Sequence, residues 1–321
     1  MTTHSLPSVA IVTPAYNAGR FLLQAIESVQ RQTLRNYEHI IINDGSTDNT
    51  LDVALSVDDM RITVRTISNN GVSFARNEGL RNCRAPYVLF LDADDILRPD
   101  ALQHMVDVLE AHPQSPACFA QHIKIPEAGV DPSYEVQRPQ RVLPQDKTLW
   151  HLLAKNIIVN GGALCIRTEA ARAVGGFKTD LKLGEDWEFW CRLALLGDFI
   201  PIQNLVAVDY RQTSTGGNRQ QRGSILKPNF TAVEAIYAIP DLALRFSSYD
   251  LSQQKRKAKI DSYWSSAKSE LAHQNYWRFT GYLFAGLIMY PDSILQPKLI
   301  YRFLSGAFNG NRRVISKIAK K

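Results

Sequence analysis

The feature that most constrains this chain is an alternation of short β-branched runs with stretches of helical period, sustained from residue 9 to residue 123. Runs at 9–12, 38–42, 62–67, 87–91 and near 117–123 read as strands. Stretches at 21–30, 72–81 and 99–111, and another opening near Asp48, read as helices. Strands that alternate with helices build a parallel or mixed sheet with helices on its faces. The expected fold class is therefore α/β, a Rossmann-like mixed sheet flanked by helices.

In such sheets ligands collect at the carboxyl ends of the strands. The residues just past each run are polar: Thr13-Pro14-Ala15-Tyr16-Asn17, Asn43-Asp44-Gly45-Ser46, Asn69-Asn70-Gly71 and Asp92-Ala93-Asp94-Asp95. One edge of the sheet thus carries candidates from four strands. Asp92 and Asp94, two apart on a turn, can converge on one hard cation, which would draw a diphosphate to an otherwise repulsive edge. Acids after a strand also cap helices, so these two do not decide the matter alone. Asp44 ends a buried run, where its carboxylate can accept a base N–H or a ribose hydroxyl; Ser46, Thr47 and Asp48 are available to cap the following helix. Tyr16 can stack on a base and Thr13 can bond to it, or both can pack in a loop. Arg76, three residues after Ser73, offers a planar donor fork suited to phosphate, and Gly79 permits close approach.

The second half begins after a segment at 130–144 rich in Pro, Gln and charge, which reads as a loop. A helical stretch at 148–155, a strand at 163–166 and a strongly apolar helix at 185–196 follow. That helix opens on Gly184-Glu185-Asp186-Trp187-Glu188, with acids in its first turn. Acids there suit the helix dipole. A buried helix start can also aim one carboxylate into a cleft, where desolvation raises its proton affinity enough for a general base, and Asp186 is the candidate. Glu188 and Arg192, four apart, read as a helix pair. Beyond Thr213 the pattern becomes helical at 232–237, 251–273, 276–289 and 297–308. The expected division is a catalytic domain at 1–220 and a helical region at 221–321.

Charge is unevenly spread: residues 222–321 hold 16 Lys and Arg against 6 acids, and residues 1–221 hold 21 against 25. A basic helical end suits an anionic surface. Residues 276–289 are aromatic and apolar, and Lys298, Arg302, Arg312, Arg313, Lys317, Lys320 and Lys321 follow them, so peripheral contact with anionic lipid is one expectation and a solvated helical face the other. The longest apolar run, 279–290, would span roughly 18 Å as a helix, short of a bilayer core of about 30 Å. With no secretory leader at the start, the expected location is cytoplasmic, at most peripheral on the inner face of the membrane. The cysteines at 83, 118, 165 and 191 lack metal-site or redox spacing and read as reduced and buried.

Four strings, Ile11-Val12-Thr13-Pro14-Ala15-Tyr16-Asn17, Ile42-Asn43-Asp44-Gly45-Ser46-Thr47-Asp48, Gly71-Val72-Ser73-Phe74-Ala75-Arg76-Asn77 and Phe90-Leu91-Asp92-Ala93-Asp94-Asp95, resemble the family 2 glycosyltransferases in content and order. The resemblance runs from about residue 9 to residue 210. It implies a GT-A fold and inverting transfer from a nucleotide-diphosphate sugar, UDP by family habit, to a hydroxyl of a glycan or lipid-linked acceptor. It implies Asp44 and Tyr16 around the base, Asp92 and Asp94 around ribose, diphosphate and a divalent Mn²⁺ or Mg²⁺, and Asp186 as catalytic base. Thr13, Pro14, Arg76 and Ala93 complete the donor-binding set. Many relatives carry a histidine shortly after the segment matching Asp209-Tyr210-Arg211, where this chain reads Gln212-Thr213-Ser214; Arg211, Arg219 and Arg222 are the candidates to compensate.

Other classes fit less well. A nucleotidyltransferase needs a glycine-rich basic loop after the first strand, but residues 13–20 supply one glycine and one arginine. A dinucleotide-dependent oxidoreductase needs a G-x-G-x-x-G that is not there. A non-catalytic sugar-nucleotide sensor with a nucleic-acid-binding tail would use Trp264, Tyr276, Trp277 and Tyr301, yet no RNA-recognition motif accompanies them, and nucleic acid is not an expected partner.

Overall fold

The structure, a computed structural model, describes residues 6–127, 142–213, 228–272 and 275–291. The chain forms two compact units, one of residues 1–152 and 156–216, the other of residues 153–155 and 217–321. The sequence-based boundary at 220 lies four residues past the end of the first.

The first unit is built on one eight-stranded sheet with strand order β3-β2-β1-β4-β7-β6-β8-β5. Its parallel half comprises β1 (Val9–Ala15), β2 (Tyr37–Asp44), β3 (Ile62–Ile67) and β4 (Tyr87–Phe90). The crossovers are α1 (Leu22–Gln30), α2 (Thr50–Leu55) and α3 (Val72–Asn82). The chain winds outward from β1 to β3, then returns to place β4 on the other side of β1. That reversal makes the carboxyl ends of β1 and β4 the switch point at which open α/β sheets bind ligands. Every residue of β1, β2 and β4 is buried, as expected of strands covered on both faces. Gly79 lets α3 approach β1, since a Cβ there would lie 2.2 Å from Val12 Cγ1.

The other half departs from simple alternation. After the short β5 (Ile96–Leu97) and α4 (Ala101–Ala111), β6 (Ala117–Pro126) and β7 (Leu164–Arg167) enter, with β7 antiparallel to both β4 and β6. The helices α5 (Thr148–Ala154) and α7 (Glu185–Ala194) fall where helices were expected, and α6 (Thr168–Ala173) had no sequence counterpart. The 13-residue β8 (Ile200–Gln212) pairs with β6 and β5 and had no sequence counterpart. Its run contains Pro201, Gln203, Asn204, Asp209 and Arg211, and its pairing with β6 slips register twice, so the period-2 signal is lost. The expected loop at 130–144 falls largely outside the described residues. The four cysteines are free and buried.

The second unit contains α8 (Thr231–Tyr237), α9 (Leu242–Arg245), α10 (Ser248–Ala272) and α11 (Tyr276–Met289). Tyr282 of α11 packs with Tyr263 and Ala267 of α10, and a Cβ on Gly286 would sit 3.1 Å from Tyr263 Cβ. Trp277, Phe284 and Ile288, aligned at helical spacing on another side of α11, are exposed. Among the described residues, no helix is long and apolar enough to cross a membrane. The helix expected at 297–308 and the basic residues from Lys298 to Lys321 lie outside the described residues.

Candidate active site

The candidate site begins with the loop after β1. Tyr16 is half exposed there, while Thr13 and Pro14 are buried. Asn17 adopts a positive φ of 48°, accepts the Thr47 N–H at 2.8 Å and donates its own N–H to Ser46 Oγ at 3.0 Å. The loops after β1 and β2 are thereby clasped together. Of the two roles open to Thr13, its side chain takes packing: the hydroxyl is buried, 2.9 Å from His39 Nε2. Burial pushes the His39 pKa down to about 3, so the imidazole is neutral beside it.

Asp44, at the end of β2, accepts the backbone N–H of Asn70 at 2.9 Å and of Gly71 at 2.8 Å, one on each carboxylate oxygen. It therefore fixes the turn that opens α3, where Gly71 at φ 91° takes a conformation open to glycine. Each oxygen retains acceptor capacity for a further donor.

Residues 92–95 form the turn after β4. Ala93 and Asp95 point inward and Asp92 and Asp94 are partly exposed. Asp95 is fully buried; it accepts the Arg211 N–H at 2.8 Å and a hydrogen bond from Asn160 Nδ2. Burial, reinforced by Asp92 and Asp94, raises its pKa well above the usual carboxylate range. Burial and then Asp92 push the Asp94 pKa up to about 6. Two partly exposed carboxylates on one turn supply the hard oxygen donors that a divalent cation takes. Among the described residues no group of three or more His, Cys, Asp or Glu is assembled to hold a metal unaided.

Sequence reasoning missed how the end of β8 serves this turn. Arg211, a candidate replacement for the absent histidine, is buried and committed: Nε donates to the Asp94 carbonyl at 2.8 Å, Nη1 to the Glu127 carbonyl at 3.0 Å and Nη2 to Gln24 Oε1 at 2.7 Å. It braces the acidic turn instead of offering a free fork. The Thr213 side chain pulls the Asp94 pKa down against that burial. Arg219 and Arg222 lie outside the described residues.

Arg76 also differs from expectation. Its Nη2 donates to Asp92 Oδ1 at 2.8 Å and its Nη1 to Glu185 Oε1 at 3.0 Å, so both outer nitrogens are engaged by carboxylates. Burial opposes its charge, but Asp92, Glu185 and Asp186 together outweigh that and raise its pKa. Arg76 thus joins the acidic turn to the first residue of α7, a link across 109 positions that no local pattern reveals.

Asp186, next on α7, is half-buried. Its Oδ1 accepts its neighbour Trp187 N–H at 2.7 Å and its Oδ2 accepts Asn156 Nδ2 at 3.3 Å. Burial, then Glu185, push its pKa up to about 7 against the pull of Arg76. A carboxyl titrating near neutrality is suited to take up a proton. Glu188 does pair with Arg192, as its spacing predicts, but Glu188 is fully buried, and Lys178 Nζ joins it at 3.0 Å.

Residues 10–174 match the family model described as "Glycosyl transferase family 2". A glycosyltransferase of Rickettsia typhi is 30% identical over 186 residues, 57% of this chain and 58% of that protein. Chondroitin synthase of Escherichia coli is 39% identical over 108 residues, 33% of this chain and 16% of that one. The match thus spans less than two-thirds of these relatives. Residues 1–349 of TarS from S. aureus, solved with UDP-GlcNAc, superpose with a TM-score of 0.58 at 15% identity, covering 87% of this chain and 90% of that one. A mannosyltransferase of Pyrobaculum calidifontis, solved with GDP-Man and Mn²⁺, gives 0.55 at 18% identity, covering 94% and 80%. Those likenesses establish the GT-A fold, and the family match over half the sequence shows that this chain belongs to glycosyl transferase family 2.

Proposed function

We propose that the protein transfers a sugar, with inversion, from a nucleoside-diphosphate donor to an acceptor hydroxyl. The observation that carries this reading is the placement of Asp186, a carboxyl with a pKa of about 7, beside the Arg76 bridge to the Asp92 turn. Arg76 ties the proposed donor edge to Glu185, the residue next to the proposed base. In the proposed step the acceptor oxygen attacks the anomeric carbon, its proton passes to Asp186, and the bond from that carbon to the diphosphate oxygen breaks. Tyr16 stacks on the base, and Asp44 accepts a base N–H with the lone pairs its loop contacts leave. The backbone of Thr13 and Pro14 lines the nucleotide subsite, and Ala93 leaves room between Asp92 and Asp94. Those two aspartates would hold a divalent Mn²⁺ or Mg²⁺, which would supply positive charge to the diphosphate. Arg76 adds a fixed charge at the same edge.

UDP is the proposed carrier, supported by the TarS complex, with GDP the competing choice from the mannosyltransferase complex. The proposed acceptor is a glycan or lipid-linked hydroxyl of a cell-surface polysaccharide; the resemblance to chondroitin synthase supports a saccharide. A panel of UDP-, GDP-, dTDP- and CMP-sugars, each with Mn²⁺, tests the donor by thermal stabilisation and turnover. A single class that both stabilises and reacts is expected; stabilisation by none, with no turnover, refutes the reading.

For the second unit we propose peripheral contact with anionic lipid on the cytoplasmic side, supported by the exposed Trp277, Phe284 and Ile288 of α11 and the basic sequence beyond it. Flotation with anionic liposomes should carry the full chain but not one ending at Pro291. Equal failure of both sinks the idea.

A further inference from the structure

We propose that Asn77 and Phe177 are positioning residues, setting where the Arg76 guanidinium lies between the Asp92 turn and the start of α7. This rests on the reading that Asp92 faces the donor and Asp186 receives the proton.

Arg76 needs such support. Its side chain is only 9% exposed, and its Nε is buried without a hydrogen-bond partner, so hydrogen bonds reach it only through the two outer nitrogens. Two carboxylates on separate segments do not by themselves fix the plane of a guanidinium. The ring of Phe177 lies 5.2 Å from its central carbon, within the range of a cation–π contact.

That ring is itself held. Asn77 Oδ1 accepts the Phe177 N–H and Asn77 Nδ2 donates to the Phe177 carbonyl, each at 2.8 Å. Phe90 meets the ring edge-on at 4.9 Å between centroids, and Phe189 of α7 packs at 4.3 Å. The loop before it is equally constrained: Gly176 takes a φ of 69°, a Cβ there would sit 2.4 Å from Asn77 Oδ1, and Arg192 Nη2 donates to the Gly176 carbonyl at 2.6 Å. Asn77 follows Arg76 directly on α3, so one turn of helix carries both the cation and the clamp on the ring beside it. Phe177 in turn packs on α7, the helix that presents Glu185 and Asp186. The arrangement makes the spacing of base and donor edge depend on this contact, and small misplacements at a reacting centre are costly in rate.

The test is a double-mutant cycle on the full-length protein, using whichever sugar nucleotide the wild type turns over. Phe177→Leu and Asn77→Leu are each expected to lower kcat/KM about tenfold. In an Arg76→Met background the same substitutions should lower it by no more than about twofold, because their effect passes through Arg76. Val106→Ala, a core change in α4, serves as a control that lowers stability with kcat/KM unchanged. If Phe177→Leu does not fold, Phe177→Met and Asn77→Ser take its place. Full additivity with Arg76→Met, or kcat/KM unmoved by either substitution, overturns the proposal while leaving glycosyl transfer intact. A wild-type protein that neither turns over nor is stabilised by any sugar nucleotide overturns the functional reading and this inference with it.

Discussion

The carboxylate of Asp95 accepts the backbone N–H of Arg211 at 2.8 Å, tying the turn after β4 to the end of β8 across 116 positions. With Asn160 on its other oxygen, this buried acid holds the loop on which Asp92 and Asp94 stand. Asp95→Ala would strip both donors of their acceptor and is expected to cost about 2–4 kcal/mol. Urea unfolding should show the loss as a lower midpoint with an unchanged slope.

Asp186→Asn should lower turnover by about 10²–10⁴-fold, the usual contribution of a general base, with donor affinity nearly retained. A general base at this position works only when ionised. Because its pKa is raised to about 7, kcat/KM should climb with pH through about 7 and level off above it. A profile flat between pH 5 and 8 would assign the proton to another group.

The same residue predicts an effect on stability. Unfolding returns the Asp186 pKa from about 7 to about 3.8, so between those values the native state holds a proton that the unfolded chain has released. Stability from this group therefore falls as pH rises across that window. In metal-free protein, Asp186→Asn should melt higher than wild type at pH 8, with the gap closing toward pH 4.

Stripping divalent cations should abolish the thermal stabilisation conferred by a sugar nucleotide and reduce turnover by an order of magnitude or more, with Mn²⁺ or Mg²⁺ restoring both. Undiminished turnover after exhaustive chelation would take the metal out of the scheme.

Gly79→Ala would place a methyl 2.2 Å from Val12 Cγ1, at the contact between α3 and β1. Overpacking there is expected to cost about 1–3 kcal/mol. Because α3 also carries Arg76 and Asn77, activity should fall along with the unfolding midpoint.

The strand ends were legible because their chemistry is compact in sequence. Asp44 and the pair Asp92 and Asp94 each lie at the close of a short apolar run, and Asp186 opens a helix whose pattern is plain. What escaped was the set of partners. Arg76 read as a phosphate ligand and is found between Asp92 and Glu185; Arg211 read as a possible replacement ligand and is spent on Asp94, Glu127 and Gln24. Thr13 has a polar side chain at a strand end, yet it pairs inward with His39.

By itself the sequence determined the alternating α/β order, the parallel strands at its start and the edge where polar residues gather, since periodicity and strand-end chemistry act over a few neighbours. Only the tertiary structure decided that β8 reaches the acidic turn, that Asp95 is a brace and that one arginine joins that turn to Glu185 at the start of α7. Those roles depend on burial and on partners distant in sequence, 109 positions from Arg76 to Glu185 and 116 from Asp95 to Arg211, and in a low-dielectric interior the partner determines what a charged side chain does.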